Sequence, residues 1–296
     1  MNKRILAIGA ALGATTIYGL NHTIAKGVMP TYIQPFGFIV LRVVGAAFLF
    51  WIASLFGPKE KIDKKDYPRL CLAAILGMGF NMLVFFKGLA LSTPINSAVL
   101  ITTTPIIVLI LSALVIKEKI GAQKFWGIGI GLLGALGLIL FSSEVRQDAP
   151  NIPLGNIFIL MNSVFYGSYL IVVKALLSKY NPLTFMKWLF TLGIFICLPF
   201  GYDEFSQIAW STLPFEAIWP IIFVIVGTTF CTYLFNIFAL TQLKASTLSV
   251  FMYVQPLVGI MYAIGTGRDN LTIVKIAGAC LVFLGVYLAS RRPKKS

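Results

Sequence analysis

Two stretches of the chain, PIIVLILSALVIKEKIGAQKFWGIGIGLLG from Pro105 to Gly134 and PLVGIMYAIGTGRDNLTIVKIAGACLVFLG from Pro256 to Gly285, decide how the rest is read. Superposed with a displacement of 151 residues, they match at Pro105 and Pro256, Glu118 and Asp269, Lys124 and Lys275, Gly127 and Gly278, and Gly134 and Gly285. A second match precedes each of them. Tyr18-Gly19 followed by Lys26 recurs, with the same spacing, as Tyr166-Gly167 followed by Lys174. The chain therefore reads as two related halves, residues 1–145 and 146–296.

Outward from these stretches, apolar runs dominate. Of the 296 residues 58% are hydrophobic and 11% charged, whereas a soluble domain carries about 25% charged residues. So few charges cannot cover a water-facing surface, and the bilayer becomes the solvent. A spanning helix takes about 20 apolar residues. Ten such segments are expected, near 5–28, 35–56, 68–91, 94–116, 123–142, 154–178, 182–201, 216–240, 246–266 and 273–290. Five per half is an odd number, so the second half enters the membrane from the opposite side. The expected fold is an all-α membrane protein of ten transmembrane helices in two inverted five-helix repeats, the architecture of alternating access.

The net charge of +14 does not form one basic face of the kind that binds nucleic acid. It sits in short connections and tails. With the N-terminus inside, the cytoplasmic side collects Lys3, Arg4, the lysines of residues 59–65 and the C-terminal Arg291, Arg292, Lys294 and Lys295, while the other side receives Lys87, Arg146, Arg268 and Lys275. The positive-inside rule then places both termini in the cytoplasm of a bacterial inner (plasma) membrane. The run after Lys3 and Arg4 continues to about Met29 without a convincing cleavage site, and reads as a retained first helix. Cys71, Cys197, Cys231 and Cys280 are isolated in apolar stretches, without the spacing of a metal site or a disulfide framework. Neither metal nor cofactor is expected.

Ionisable groups at membrane depth are costly, about 2.5–3.5 kcal/mol on the mildest scale, and mark function or an interfacial anchor. Arg42 lies about seven residues into its helix with no deep carboxylate to neutralise it. Its partner is a substrate carboxylate or exposed helix carbonyls, or else the side chain snorkels to the interface. Tyr18, His22 and Lys26 follow at four-residue steps and share one helix face. His22, the only histidine, suits proton coupling or a packed hydrogen bond. Lys26 and Lys174 are candidates for a gate or for snorkelling. Pro105 and Pro256 are read as helix kinks that expose carbonyls to a cavity. Thr102, Thr103 and Thr104 precede the first, and Tyr253 and Gln255 the second, as cavity walls, with hydroxyl back-bonding that repairs the kink as the alternative. Asn21, Asn81, Asn96, Asn162 and Asn236 are interhelical links or substrate contacts, and Tyr18 and Tyr166 are further cavity candidates. Glu118 and Asp269 read as structural clasps at helix ends, each needing a compensating lysine or free backbone donors. The glycine-rich helices permit close approach, within the chain or across a homodimer seam.

The order of Tyr18-Gly19 to Lys26, Arg42 in the second helix, and Pro105 to Glu118-Lys119 before a glycine-rich helix resembles the drug/metabolite transporter superfamily, specifically its EamA-type members. The resemblance covers nearly the whole chain. It implies ten helices around a central cavity and the export or exchange of small metabolites, often amino acids. Two departures stand out: Asp269 replaces a frequent glutamate, and Leu189 stands opposite Arg42. A secondary transporter is the expected function, since no GxxxxGK[ST] loop is present to hydrolyse ATP. A membrane enzyme would need clustered ligands or a nucleophile with its base. A non-transporting subunit or receptor is the remaining class.

Overall fold

The computed structural model describes residues 3–26, 28, 29, 31–91, 100–140, 151–265 and 272–290, and among them all regular structure is helical. Ten rods result among the described residues. Rod 1 is Lys3–Lys26, rod 2 Pro35–Leu55, rod 5 Ala122–Leu140, rod 6 Ile152–Leu176, rod 7 Pro182–Ser206 and rod 10 Ile273–Ser290. Starts follow local chemistry. Rods 2, 6 and 7 each place proline in the first turn, where the missing N–H has no helical partner to lose. Asn151 and Asn181 cap rods 6 and 7, accepting from the N–H of Leu154 and Leu183 at 3.2 and 3.0 Å. Rod 7 runs through Pro199 to Ser206, five residues past its expected end.

The other four rods are interrupted, and in matching places. Rod 3 is Tyr67–Ala74, a π-helical segment Ile75–Phe80, then Asn81–Leu91. Rod 8 is Phe215–Ile222, a π-helical segment Phe223–Cys231, then Thr232–Gln242. Rod 4 breaks in a turn at Thr102 and Thr103 and restarts as Thr104–Val115. Rod 9 is Ala245–Leu248, a 3-10 stretch Ser249–Tyr253, then Val254–Gly265. Pro105 and Pro256 thus stand in the first turn of a restarted helix rather than at a bend in a continuous one. Rods 2, 3, 6, 7 and 8 are long and apolar enough to cross a membrane.

Packing follows an exchange pattern. Rod 1 lies on rods 8 and 9, and rod 6 on rods 3 and 4; rods 2 and 7 pair, as do rods 5 and 10. Advancing every rod by five places returns the same pairs. Glycines set the closest contacts. A Cβ on Gly134 would stand 2.7 Å from the backbone nitrogen of Val282, and one on Gly127 2.7 Å from that of Ala289. Rods 5 and 10 therefore touch backbone to backbone, and the glycine seam lies within one chain. Gly19 likewise admits Val258 of rod 9, and Gly167 admits Val108 of rod 4.

The ion pairs among the described residues gather at the end of the bundle that holds Lys3 and Ser290. Glu118 pairs with Lys124 at 2.8 Å and Lys244 at 3.9 Å, and accepts from the Ser246 hydroxyl. Lys117 turns the chain there with a φ of 50°, a left-handed state that costs about 1 kcal/mol. Asp66 accepts from Lys179 at 2.9 Å and from the Tyr180 hydroxyl at 2.8 Å. Both clusters tie residues before 145 to residues after 146. At the opposite end the Glu204 carboxylate accepts from the N–H of Phe36 and Gly37 at 2.6 and 2.9 Å, neutralising the positive end of rod 2.

Candidate functional site

Rods 1, 3 and 4 meet rods 6, 8 and 9 around a cavity of about 130 Å³, and rod 2 closes one side. A cavity of about 150 Å³ takes benzene, so this one has room for a solute of roughly six non-hydrogen atoms. Both halves contribute the same kinds of wall. The interrupted rods supply most of it: Asn81, Met82, Phe85 and Phe86 follow the π segment of rod 3, while Thr228, Tyr233 and Asn236 lie in and after that of rod 8. A π turn re-aims the side chains beyond it, which is why such segments recur at ligand sites.

Among the described residues lining the cavity, Arg42 alone is charged. It is 6% exposed, so the snorkelling alternative is overturned: rod 2 faces rod 7 and the cavity, and the side chain points inward. Its Nε donates to the Thr229 hydroxyl at 3.1 Å, and its guanidinium carbon lies 5.7 Å from the centre of the Phe86 ring. A hydrogen bond and a cation–π contact offset part of the burial cost. No carboxylate among the described residues pairs with it. The remaining polar wall is neutral. Tyr18 stands beside Thr232 and Asn236, and the buried Oδ1 of Asn21 has no partner among the described residues. Asn81 and Asn162 staple rods 3 and 6, each amide donating to the other's backbone carbonyl, at 3.4 and 2.9 Å. Thr104 shares a hydrogen bond of 2.7 Å with Ser163. A mainly neutral wall with one fixed cation can hold a small solute that carries one anionic group.

Of the residues singled out in the sequence, Tyr18, Asn21, Arg42, Asn81, Thr104, Asn162, Tyr166, Asn236 and Gln255 line this cavity. Thr103 does not; its hydroxyl donates to its own helix at the Leu100 carbonyl, 2.6 Å away, and the next residue, Thr104, takes the inward position. Tyr253 does not either. The 3-10 winding of Ser249–Tyr253 turns its ring into the core against Gly131, where it is fully buried. Lys174 sits at the end of rod 6, donating to the carbonyls of Leu240 and, at 2.8 Å, Leu243 at the end of rod 8. That is the position a cation favours at a helix C-terminus. Asn96 and Asp269, and the side chains of His22 and Lys26, lie outside the described residues. Thr229 and Tyr233 belong to this region as well, and the sequence marks them only by a pair of adjacent threonines in an apolar run, followed by Tyr233 and Asn236 three apart on one helix face.

The chain matches the EamA-like transporter family over two stretches, residues 5–140 and 153–291. An uncharacterized transporter of Archaeoglobus fulgidus is 29% identical, over 94% of this chain and 96% of its own. YyaM of Bacillus subtilis (strain 168), also an uncharacterized transporter, is 25% identical over 94% and 92%. YoaV of the same organism, another uncharacterized transporter, is 24% identical over 86% and 87%. A crystal structure of a further protein superposes with a TM-score of 0.79 over 96% of each chain at 15% identity, a likeness of fold.

Proposed function

This chain belongs to the EamA-like transporter family of the drug/metabolite transporter superfamily, and from that premise we propose that it is a secondary transporter exporting small amphiphilic metabolites by alternating access. The observation that carries the proposal is Arg42, buried at a cavity built by both halves and without a carboxylate partner among the described residues. A solute carboxylate, as in an amino acid, supplies the missing partner. The packing pattern that repeats every five rods supports two inverted repeats of five spans, and the twofold family match supports the same division. On this reading ten spans cross a bacterial inner membrane and both termini are cytoplasmic. Gradients of substrate or of protons drive the flux, with His22 the candidate coupling group.

Purified protein in liposomes is to be tested with labelled amino acids, nucleobases and amines, with and without a pH gradient. Saturable flux of carboxylate-bearing solutes, lost in Arg42→Ala, is the expected result. Flux that Arg42→Ala leaves unchanged at equal protein level sinks the site assignment. Cysteines at positions 26 and 174, in a background without the four native cysteines, report alternating access. A bound substrate should raise labelling at one position and lower it at the other. Parallel changes with a bound ligand argue against the mechanism.

A further inference from the structure

We infer that Thr229, in the π-helical segment of rod 8, is the positioning residue that aims Arg42 at its ligand end-on and so sets the preference of the cavity for a carboxylate over a neutral solute of the same shape. The inference rests on the reading of Arg42 as the anion-recognising group.

Thr229 is completely buried. Its hydroxyl has one proton, and that proton is committed: Oγ1 donates to the Val224 carbonyl at 2.7 Å, five residues back. In an α-helix a threonine hydroxyl bonds three or four residues back. Here the π winding of Phe223–Cys231 carries it to the fifth. With its proton turned toward Val224, the oxygen presents only lone pairs to its other neighbour, the Nε–H of Arg42 at 3.1 Å. The direction of the chain Arg42 to Thr229 to Val224 is therefore determined, and the hydroxyl proton is not free to be donated to the ligand.

A guanidinium has five donors in a planar fork. One is taken by Thr229, which occupies the edge that contains Nε, and the guanidinium carbon stands over the Phe86 ring. The outer edge, bearing the two terminal nitrogens, is left for the solute. A carboxylate meets that edge with two parallel hydrogen bonds, whereas an amide of equal size offers one oxygen and a clashing pair of donors. Without the Thr229 hydroxyl, Nε–H is a buried donor without a partner, and the side chain turns to spend its fork on nearby protein oxygens. Discrimination falls while the cavity keeps its shape.

The test uses Thr229→Val, which is nearly isosteric and loses both hydrogen bonds, Thr229→Ala as a second variant should valine disturb folding, and Thr229→Ser, which keeps the hydroxyl. In full-length protein labelled with [15N]-arginine, the Arg42 Nε–H resonance is identified by its loss in Arg42→Lys. Its hydrogen exchange should be about tenfold faster in the valine and alanine variants and close to wild type in serine, the size expected for one lost charge-assisted hydrogen bond. Exchange unchanged in the valine and alanine variants overturns the positioning role. In liposomes, propionate and L-alanine are compared with propionamide and L-alaninamide. The half-saturating concentration of the two acids should rise about tenfold in Thr229→Val, with maximal flux and amide handling unchanged and serine restoring the preference. An equal effect on acids and amides identifies a packing residue and overturns the inference. A wild type with no preference for the acids overturns instead the anion reading of Arg42, and the exchange measurement still decides whether Thr229 holds it.

Discussion

The two halves build the cavity with matching parts except at one pair of rods. Rods 1 and 6 bring Tyr18 and Tyr166, rods 3 and 8 pass through π segments beside it, and rods 4 and 9 break before a proline. Rods 2 and 7 differ. Rod 2 supplies Arg42 to the cavity, while Leu189 on rod 7 is fully buried in the core and contributes nothing to the wall. The partner π segments differ accordingly. That of rod 8 offers a threonine to Arg42, whereas that of rod 3 offers the Met78 carbonyl to the Cys197 thiol of rod 7, at 3.4 Å. The walls match in kind, and the one charge among the described lining residues stands on rod 2. On the proposed reading, charge recognition belongs to rod 2 and the backing of that charge to rod 8.

Leu189→Ala tests the core side of this contrast and carries the largest expected effect. It should destabilise the protein by about 2–5 kcal/mol, as for other buried leucines, read by thermal unfolding in detergent, and leave solute affinity in the folded fraction unchanged. A change in affinity would make rod 7 part of the site. Arg42→Ala should do the reverse. Loss of hydrogen bonds to a charged group costs about 1.5–3 kcal/mol, or roughly 10- to 150-fold in half-saturating concentration, with little change in unfolding temperature.

The Tyr-Gly motifs sharpen the comparison at a smaller scale. A Cβ on Gly19 would lie 2.7 Å from Val258 Cβ and 2.9 Å from the Gln255 carbonyl oxygen, which cannot give way. One on Gly167 is tight only against side-chain atoms, Leu111 Cδ1 at 3.1 Å and Val108 Cγ2 at 3.2 Å, with the nearest backbone atom, Val108 Cα, at an ordinary 3.7 Å. Gly19→Ala should therefore cost about 1–3 kcal/mol and Gly167→Ala less than about 1 kcal/mol. Equal unfolding temperatures would show that the two seams are interchangeable. The smallest effect is expected for Asn162→Ala, which frees the Asn81 carbonyl from its 2.9 Å bond. Interhelical hydrogen bonds in membranes average about 0.6 kcal/mol, a shift to be read by thermal unfolding.

The helical rods were legible in the sequence because apolar run length and turn chemistry are local signals, and the matched stretches at Pro105 and Pro256 already pointed to rods 4 and 9 as counterparts. The cavity was legible in part. Tyr18, Arg42, Asn81, Tyr166 and Gln255 stand out as polar groups in apolar runs, and all five line it. Thr103 and Tyr253 stand out equally and do not, because a turn in rod 4 and a 3-10 stretch in rod 9 rotate the side chains by a residue. Thr229 escaped notice because its meaning depends on a π winding that no residue pattern announces.

What the sequence by itself determined is the bilayer as solvent and the rarity of charge at depth: these are properties of composition and spacing. Which way Arg42 points was decided only by the tertiary structure. The choice between interface and interior depends on what stands opposite, and what stands opposite is Thr229 and Phe86, 187 and 44 residues away along the chain. A buried charge takes its role from partners brought by folding, and their distance in sequence hides them from any local reading.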